Sequence, residues 1–169
     1  MAGHTDRLSR ALAEVLPALA DHCRSPWWLI GSSALAIWGV PEIECADIDV
    51  LLSVEDAERL ARHWASHRDD DHRTENDHLF RSRFARYTGF AVPVETMADL
   101  ELHTADGWRP VVPSDRRRIA TPQGDACLPS LDAMIAILTA FGRDKDLRKA
   151  DQVRAWLADA PRLPTSSPA

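Results

Sequence analysis

Two aspartates one residue apart, Asp47 and Asp49, interrupt an otherwise apolar run of Ile48, Val50, Leu51 and Leu52. Side chains alternate across a strand, so the two carboxylates share one face while Ile48 and Val50 take the other. Aspartate is depleted in strands, and like charges on one face repel unless something positive lies between them. Magnesium is the natural partner: it takes hard oxygen ligands and often keeps only one or two carboxylates while substrate phosphates supply the rest. Two acids on an exposed strand edge are the alternative. Earlier in the chain the apolar run Trp27–Ile30 stops at Gly31-Ser32-Ser33. A helix opening there leaves its first N–H groups unpaired and its positive dipole end facing outward, which suits phosphate oxygens. Gly31 lets the backbone approach a ligand, and the hydroxyls of Ser32 and Ser33 add donors. The competing reading makes Ser32 or Ser33 a helix cap and Gly31 a turn.

The rest of the chain supplies elements to position these residues. Leu8, Leu12, Val15, Leu16 and Leu19 fall at helical spacing between about Thr5 and His22, with Thr5 or Asp6 as cap, and Pro17 is expected to kink or shorten that helix. A strand at Trp27–Ile30, a helix closing at Gly39 and a loop carrying Glu42 and Glu44 lead into the acidic strand. A helix capped by Ser53 follows to about Ser66, and then a polar segment with Asp69-Asp70-Asp71 reads as a solvated loop. Leu79–Tyr87 alternates, with Leu79, Arg81 and Arg83 on one parity and Phe80, Phe84 and Arg86 on the other. It suits an edge strand whose Arg81 or Arg83 either reaches a phosphate or keeps the edge soluble. Phe90–Met97 is a short apolar strand bearing one acid, Glu95, which is costly to bury without a cation or donors; Asp99 and Glu101 compete with it. Pro93 suggests that this strand lies near an edge or that no ladder donor is needed at that point. A strand at Gly107–Val112 precedes Arg116-Arg117-Arg118, a solvated turn or a phosphate-neutralising cluster. Two helices then close the chain, one starting at Pro129-Ser130 and one running to about Leu157.

Gly31-Ser32-x-Ala34, a short helix closing at Gly39, and Asp47-x-Asp49 on the next strand resemble the nucleotidyltransferase superfamily that includes DNA polymerase beta and the small bacterial antibiotic and toxin-type nucleotidyltransferases. The resemblance implies an α/β (α+β) fold: a mixed β-sheet with flanking helices and a C-terminal helical pair. It implies that Gly31, Ser32 and Ser33 hold a nucleoside triphosphate and that Asp47, Asp49 and a later strand acid, assigned as Glu95, form the catalytic and metal-binding set. Two Mg2+ ions are expected, and Mn2+ can substitute. Gly142-Arg143-x-Lys145-Asp146-Leu147 also resembles a pattern located after the core in small relatives, making Lys145 a phosphate contact; an ion pair with a neighbouring aspartate is the other reading. Many relatives carry arginine and threonine ahead of the acidic pair, where this chain has Glu42, Glu44 and Cys45, and this leaves the substrate class open. The reaction implied is transfer of a nucleoside monophosphate to a hydroxyl acceptor, either a small molecule, a transfer RNA end or a protein, with release of pyrophosphate. A nucleotide-binding or antitoxin-like regulatory module on the same fold is the alternative.

Composition bounds these readings. A length of 169 residues suits one domain, expected over 1–160 with a Pro/Ser-rich flexible tail at 161–169. A net charge of -6 argues against coating nucleic acid non-specifically, and favours a small cationic acceptor slightly, while the arginine clusters pull the other way. Three scattered cysteines suggest neither a disulfide framework nor a zinc site, and no run approaches the ~18 apolar residues of a membrane span. The expected location is the cytoplasm.

Overall fold

A computed structural model describes residues 2–159, with side chains from residue 6 onward; the tail expected at 161–169 lies outside the described residues. In chain order the elements are α1 (Ala2–His22), β1 (Trp28–Ile30), α2 (Gly31–Trp38), β2 (Ile48–Leu52), α3 (Val54–His63), β3 (Phe80–Tyr87) and β4 (Val94–Thr104). After these come β5 (Gly107–Pro110), β6 (Arg117–Thr121), β7 (Gly124–Leu128), α4 (Leu131–Phe141) and α5 (Asp144–Asp159). The class is α+β with a mixed sheet and a C-terminal helical pair, as the motifs imply.

The acidic strand forms where the sequence places it, because Ile48, Val50 and Leu52 are buried on the face opposite Asp49. The sheet runs β1-β2-β4-β3, with β2 and β4 parallel and the other neighbours antiparallel. β5 pairs with residues 101–104 of β4, beyond the stretch that pairs with β2. The apolar face joins the main core together with α1 and α3; fully buried Leu, Ile and Val side chains such as Leu19, Ile48, Val50 and Leu60 each contribute roughly 1.5–3 kcal/mol. Trp64 packs edge-on to Tyr87 at 5.2 Å, tying α3 to the end of β3.

This arrangement corrects two expectations and decides a third. Helix α1 runs through Pro17 without a break. Pro17 lies on the exposed side, where water can satisfy the carbonyl it leaves unpaired, while Leu16 and Leu19 anchor both flanks in the core. Of the two readings of Pro93 the second holds: β4 is an interior strand, and Pro93 precedes its first ladder residue, where no donor is needed, its carbonyl accepting from the Ile48 N–H at 2.9 Å. The segment between Arg117 and Leu128, read only as an arginine cluster, is a hairpin of β6 and β7 whose Leu128 and Ala126 are buried against α1 and β1.

The C-terminal helices join the core through Met134, Leu138, Ala150 and Val153 and are also tied by polar contacts. Trp38 at the end of α2 donates to the Pro129 carbonyl at 2.9 Å, just before the Ser130 cap of α4, and Gln152 of α5 donates to the Pro41 carbonyl at 2.6 Å in the loop that leads to Asp47. These ties set α4 and α5 over the carboxylate face of the sheet. Among the described residues no helix is long and apolar enough to cross a membrane.

One buried acid holds the fold rather than the site. Asp56, fully buried at the start of α3, accepts from the backbone N–H groups of Arg24 and Ser25, each at 2.9 Å, and from Arg59 at 2.6 Å, closing the turn between α1 and β1. Replacing Asp56 by Ala strands those donors, so thermal or urea unfolding should show a loss of about 2–3 kcal/mol. An unfolding curve unchanged by Asp56→Ala contradicts this.

Candidate active site

The parallel register of β2 and β4 pairs Asp49 with Glu95. Adjacent strands lie about 4.8 Å apart, so the two carboxylates are neighbours on one face, and Asp47 sits one residue ahead of β2 on the same side. Gly31 stands at the end of β1, whose Ile30 pairs with Asp49. Its φ of +64° and its position both demand glycine: a Cβ there would lie 2.6 Å from Asp49 Oδ2. Helix α2 therefore opens with backbone pressed against a carboxylate. Its N-cap is Ile30, which offers no side-chain acceptor, so neither serine caps the helix.

These residues line a cleft of about 530 Å³ between the sheet and the α4–α5 pair. Gly31, Ser32, Asp47, Asp49, Glu95 and Lys145 all reach it. Ser33 does not: it is fully buried, and its hydroxyl donates to the Ile30 carbonyl at 3.0 Å. Lys145 is joined by Lys149 one turn further along α5, and among the described residues neither forms an ion pair. The aspartate next to Lys145, Asp146, is instead gripped by Arg143 through two bonds of 2.6 and 3.0 Å.

Burial in the cleft, then the charges of Asp47 and Glu95, push the Asp49 carboxyl up to about 8, against the pull of Lys149 and Lys145. Glu95 is also raised, by burial and by Asp47, although Arg86 and His72 oppose the shift. Both shifts are led by burial, which disfavours the charged form, with repulsion among the carboxylates second. Hard oxygen donors grouped in this way fit a divalent cation such as magnesium, with Asp47 and Asp49 as the holding pair. Among the described residues, however, no three such side chains already converge as a ready-made ligand set. Arg86 stands between them: its Nη1 donates to Glu95 Oε1 and lies 4.0 Å from Asp47 Oδ2, while its Nε lies 4.0 Å from Asp69.

Arg86 is the residue that sequence reasoning missed. Phe80, Ser82, Phe84 and Arg86 form the parity of β3 that faces the cleft, whereas Arg83 points outward and Arg81 pairs with Glu101 and stacks on Trp108 at 4.5 Å. The signal lay in cross-strand pairing, Arg86 opposite Glu95, which a linear reading of alternation does not reveal. Asp69 and His72 were missed as well. Asp69 accepts from the N–H groups of Asp71 and His72, each at 3.2 Å, and the turn it closes brings His72 to 4.0 Å from Glu95. The other candidate acids are turned away. Asp99, with φ of +52°, is the extra residue of a bulge opposite Ser82, and the bulge reverses the facing of the residues after it, sending Glu101 to the far side. The Arg116–Arg118 cluster is absorbed elsewhere, Arg116 donating to the Trp27 carbonyl at 3.0 Å and Arg118 pairing with Asp125 at 2.9 Å.

With this geometry in view, solved structures supply comparisons. TM1012, a proposed nucleotidyltransferase from Thermotoga maritima, superposes with a TM-score of 0.63 at 26% identity, over 86% of this chain and 91% of its own. This chain has the nucleotidyltransferase fold. The antibiotic-resistance factor ANT(2'')-Ia shares that fold with a TM-score of 0.56 at 14% identity, over 91% of this chain and 85% of its own. The lincosamide antibiotic adenylyltransferase LnuA, solved with lincomycin, gives 0.54 at 10% identity over 86% and 95%. These nucleotidyltransferase neighbours agree with the DNA polymerase beta-like superfamily that the Gly31-Ser32 and Asp47-x-Asp49 motifs resemble. No protein-family model matches the chain, and no curated protein matches it.

The raised Asp49 carboxyl gives a pH prediction for the metal-free protein. A carboxyl whose folded pKa lies above its unfolded value favours the fold while protonated, so that contribution is complete below about 3.8 and is lost as the pH rises through about 8. Between pH 5.5 and pH 8 the wild-type Tm should therefore fall relative to that of Asp49→Asn, with roughly 2–4 °C for each 1 kcal/mol. Added MgCl2 should restore the wild type more at pH 8 than at pH 5.5. Parallel pH profiles of Tm for the two proteins would exclude this account.

Proposed function

We propose that this chain is a metal-dependent nucleotidyltransferase that moves a nucleoside monophosphate from a nucleoside triphosphate to a hydroxyl acceptor. The observation that carries the reading is one cleft in which Asp47, Asp49 and Glu95 face the uncapped start of α2 on one side and the unpaired Lys145 and Lys149 on the other. Magnesium held by Asp47 and Asp49 would supply charge neutralisation for the triphosphate and acidify the acceptor hydroxyl. Gly31 and Ser32 bind the terminal phosphates through the first N–H groups of α2, and Lys145 and Lys149 draw them toward α5. Glu95, placed beside Asp49 by the strand register, takes the proton of the attacking hydroxyl. The oxygen–α-phosphorus bond forms as the bond to the β-phosphate oxygen breaks, and pyrophosphate leaves on the side opposite the acceptor. Arg86 orients Glu95 for that task. TM1012 and the two antibiotic-directed neighbours support the general reaction, and the cytoplasm is the compartment we assign to it.

A second reading is favoured by one specific contact. Arg86 already occupies Glu95, and a chain that kept this pair closed would bind nucleotide without turning it over. Calorimetric titration with Mg–ATP, followed by a pyrophosphate-release assay against a fractionated lysate, separates the two readings. Transfer with release is expected; binding with no release from any fraction would favour the non-catalytic module. Asp49→Asn should lower turnover by at least about a thousandfold with the fold intact, whereas Lys145→Met should act mainly on KM for the triphosphate, by about tenfold. Undiminished turnover in Asp49→Asn would remove the assignment.

A further inference from the structure

The cleft does not end at the carboxylates. It continues along β3 and β4, away from α2, as a trough over Phe84 and Met97 that ends where Phe80 and Leu100 meet Leu138 and Phe141 of α4. The bulge at Asp99 makes this possible, because it turns Leu100 toward the cleft where an unbroken alternation would have presented Glu101. Phe80 meets Phe141 edge-on at 4.8 Å, and the Arg143 guanidinium lies 4.9 Å over Phe80, its charge held by Asp146. Phe84 is half-buried and packs on His72 at a centroid distance of 5.6 Å; among the described residues it takes no part in the main hydrophobic cluster. An aromatic ring in a cleft with no role in the core is available to a ligand.

The stereochemistry of the proposed reaction, on which this inference rests, decides the ligand. In a displacement at phosphorus the entering and leaving oxygens lie on opposite sides. The leaving pyrophosphate belongs with Gly31 and Ser32, on the β1 side of the acidic strand, so the acceptor enters from the β4–β3 side, where the trough lies. At the trough's lip Arg73 stands with Glu75 and Asp77, Asp77 accepting from Thr74 at 2.6 Å, while the charge of Arg81 is taken up by Glu101. Among the described residues the floor beyond Glu95, Phe84 and Met97, is apolar, and the acids Glu75 and Asp77 are confined to the lip. We propose that this trough is the acceptor subsite and that it takes a small, uncharged alcohol with an aromatic or otherwise apolar ring, rather than the polycationic acceptor that net charge alone suggests.

The test titrates the full-length chain with 2-naphthalenemethanol, kanamycin and Mg2+ with α,β-methylene-ATP, alone and in pairs, read by calorimetry and ligand-observed NMR. The aryl alcohol is expected to bind both free protein and the nucleotide complex. Ser82→Trp, which fills the trough floor, and Phe84→Ala, which removes a wall, should each weaken it at least tenfold while the nucleotide Kd stays within twofold. Competitive displacement of the aryl alcohol by the nucleotide analogue would overturn the proposal, since the trough would then hold the base. So would absence of aryl alcohol binding at millimolar concentration, indifference of its binding to both variants, or kanamycin binding that Ser82→Trp abolishes. Failure of the nucleotide analogue itself to bind marks instead the failure of the nucleotidyl-transfer reading.

Discussion

Parallel pairing sets Asp49 beside Glu95, with Asp47 one residue ahead, and the rest of the cleft answers the repulsion this creates. Three carboxylates on one small patch cannot all be charged without positive partners, and here the partners are distributed over separate elements. Arg86 comes from the neighbouring strand, Lys145 and Lys149 from the helix across the cleft, and the start of α2 contributes a dipole end pressed within reach of Asp49. The Asp49 carboxyl is nevertheless high, first because it is buried and then because Asp47 and Glu95 repel its charge. The unfavourable energy held there is supported by the opposite face, where Ile48, Val50 and Val94 are fully buried in the core.

How much of this the sequence revealed depended on the range of the interactions. Gly31-Ser32 and Asp47-x-Asp49 were legible because their geometry is local: a tight turn and a two-residue strand period need nothing from elsewhere. Glu95 was legible as a lone acid in an apolar strand. Arg86, Asp69 and His72 were not, because their roles depend on which residue of β4 lies opposite and on how a polar loop folds back across a strand. The alternation of β3 was correct as a pattern, yet a pattern does not say which parity faces inward, and so Arg81 and Arg83 were favoured over Arg86. Ser33 was misjudged for a related reason: within a helix, consecutive residues diverge by about 100°, and the turn that shows Ser32 to the cleft buries Ser33.

The two walls of the cleft differ in how firmly they are built. The sheet wall is bound by ladder hydrogen bonds and a continuous core. The helical wall has no ladder; it joins the same core through Met134, Leu138, Ala150 and Val153 and is tied by the Trp38–Pro129, Gln152–Pro41 and Ser130–Asp115 hydrogen bonds. Lys145 and Lys149 travel with that second wall. Any widening of the cleft on ligand entry therefore moves the cations relative to the carboxylates, while Asp49, Glu95 and Arg86 keep their mutual spacing.

The extra residue at Asp99 divides β4 into two stretches with separate duties. Up to Ala98 the strand is in register with β2 and carries the charge-bearing position; past Asp99 it pairs with β5 and carries shape. Because the kink isolates the two, side chains downstream can be exchanged for larger or smaller ones while the ionic arrangement upstream is left alone. A scaffold partitioned in this way can reshape one end of its cleft by altering a few ring-bearing positions, with the carboxylate arrangement at the other end unchanged.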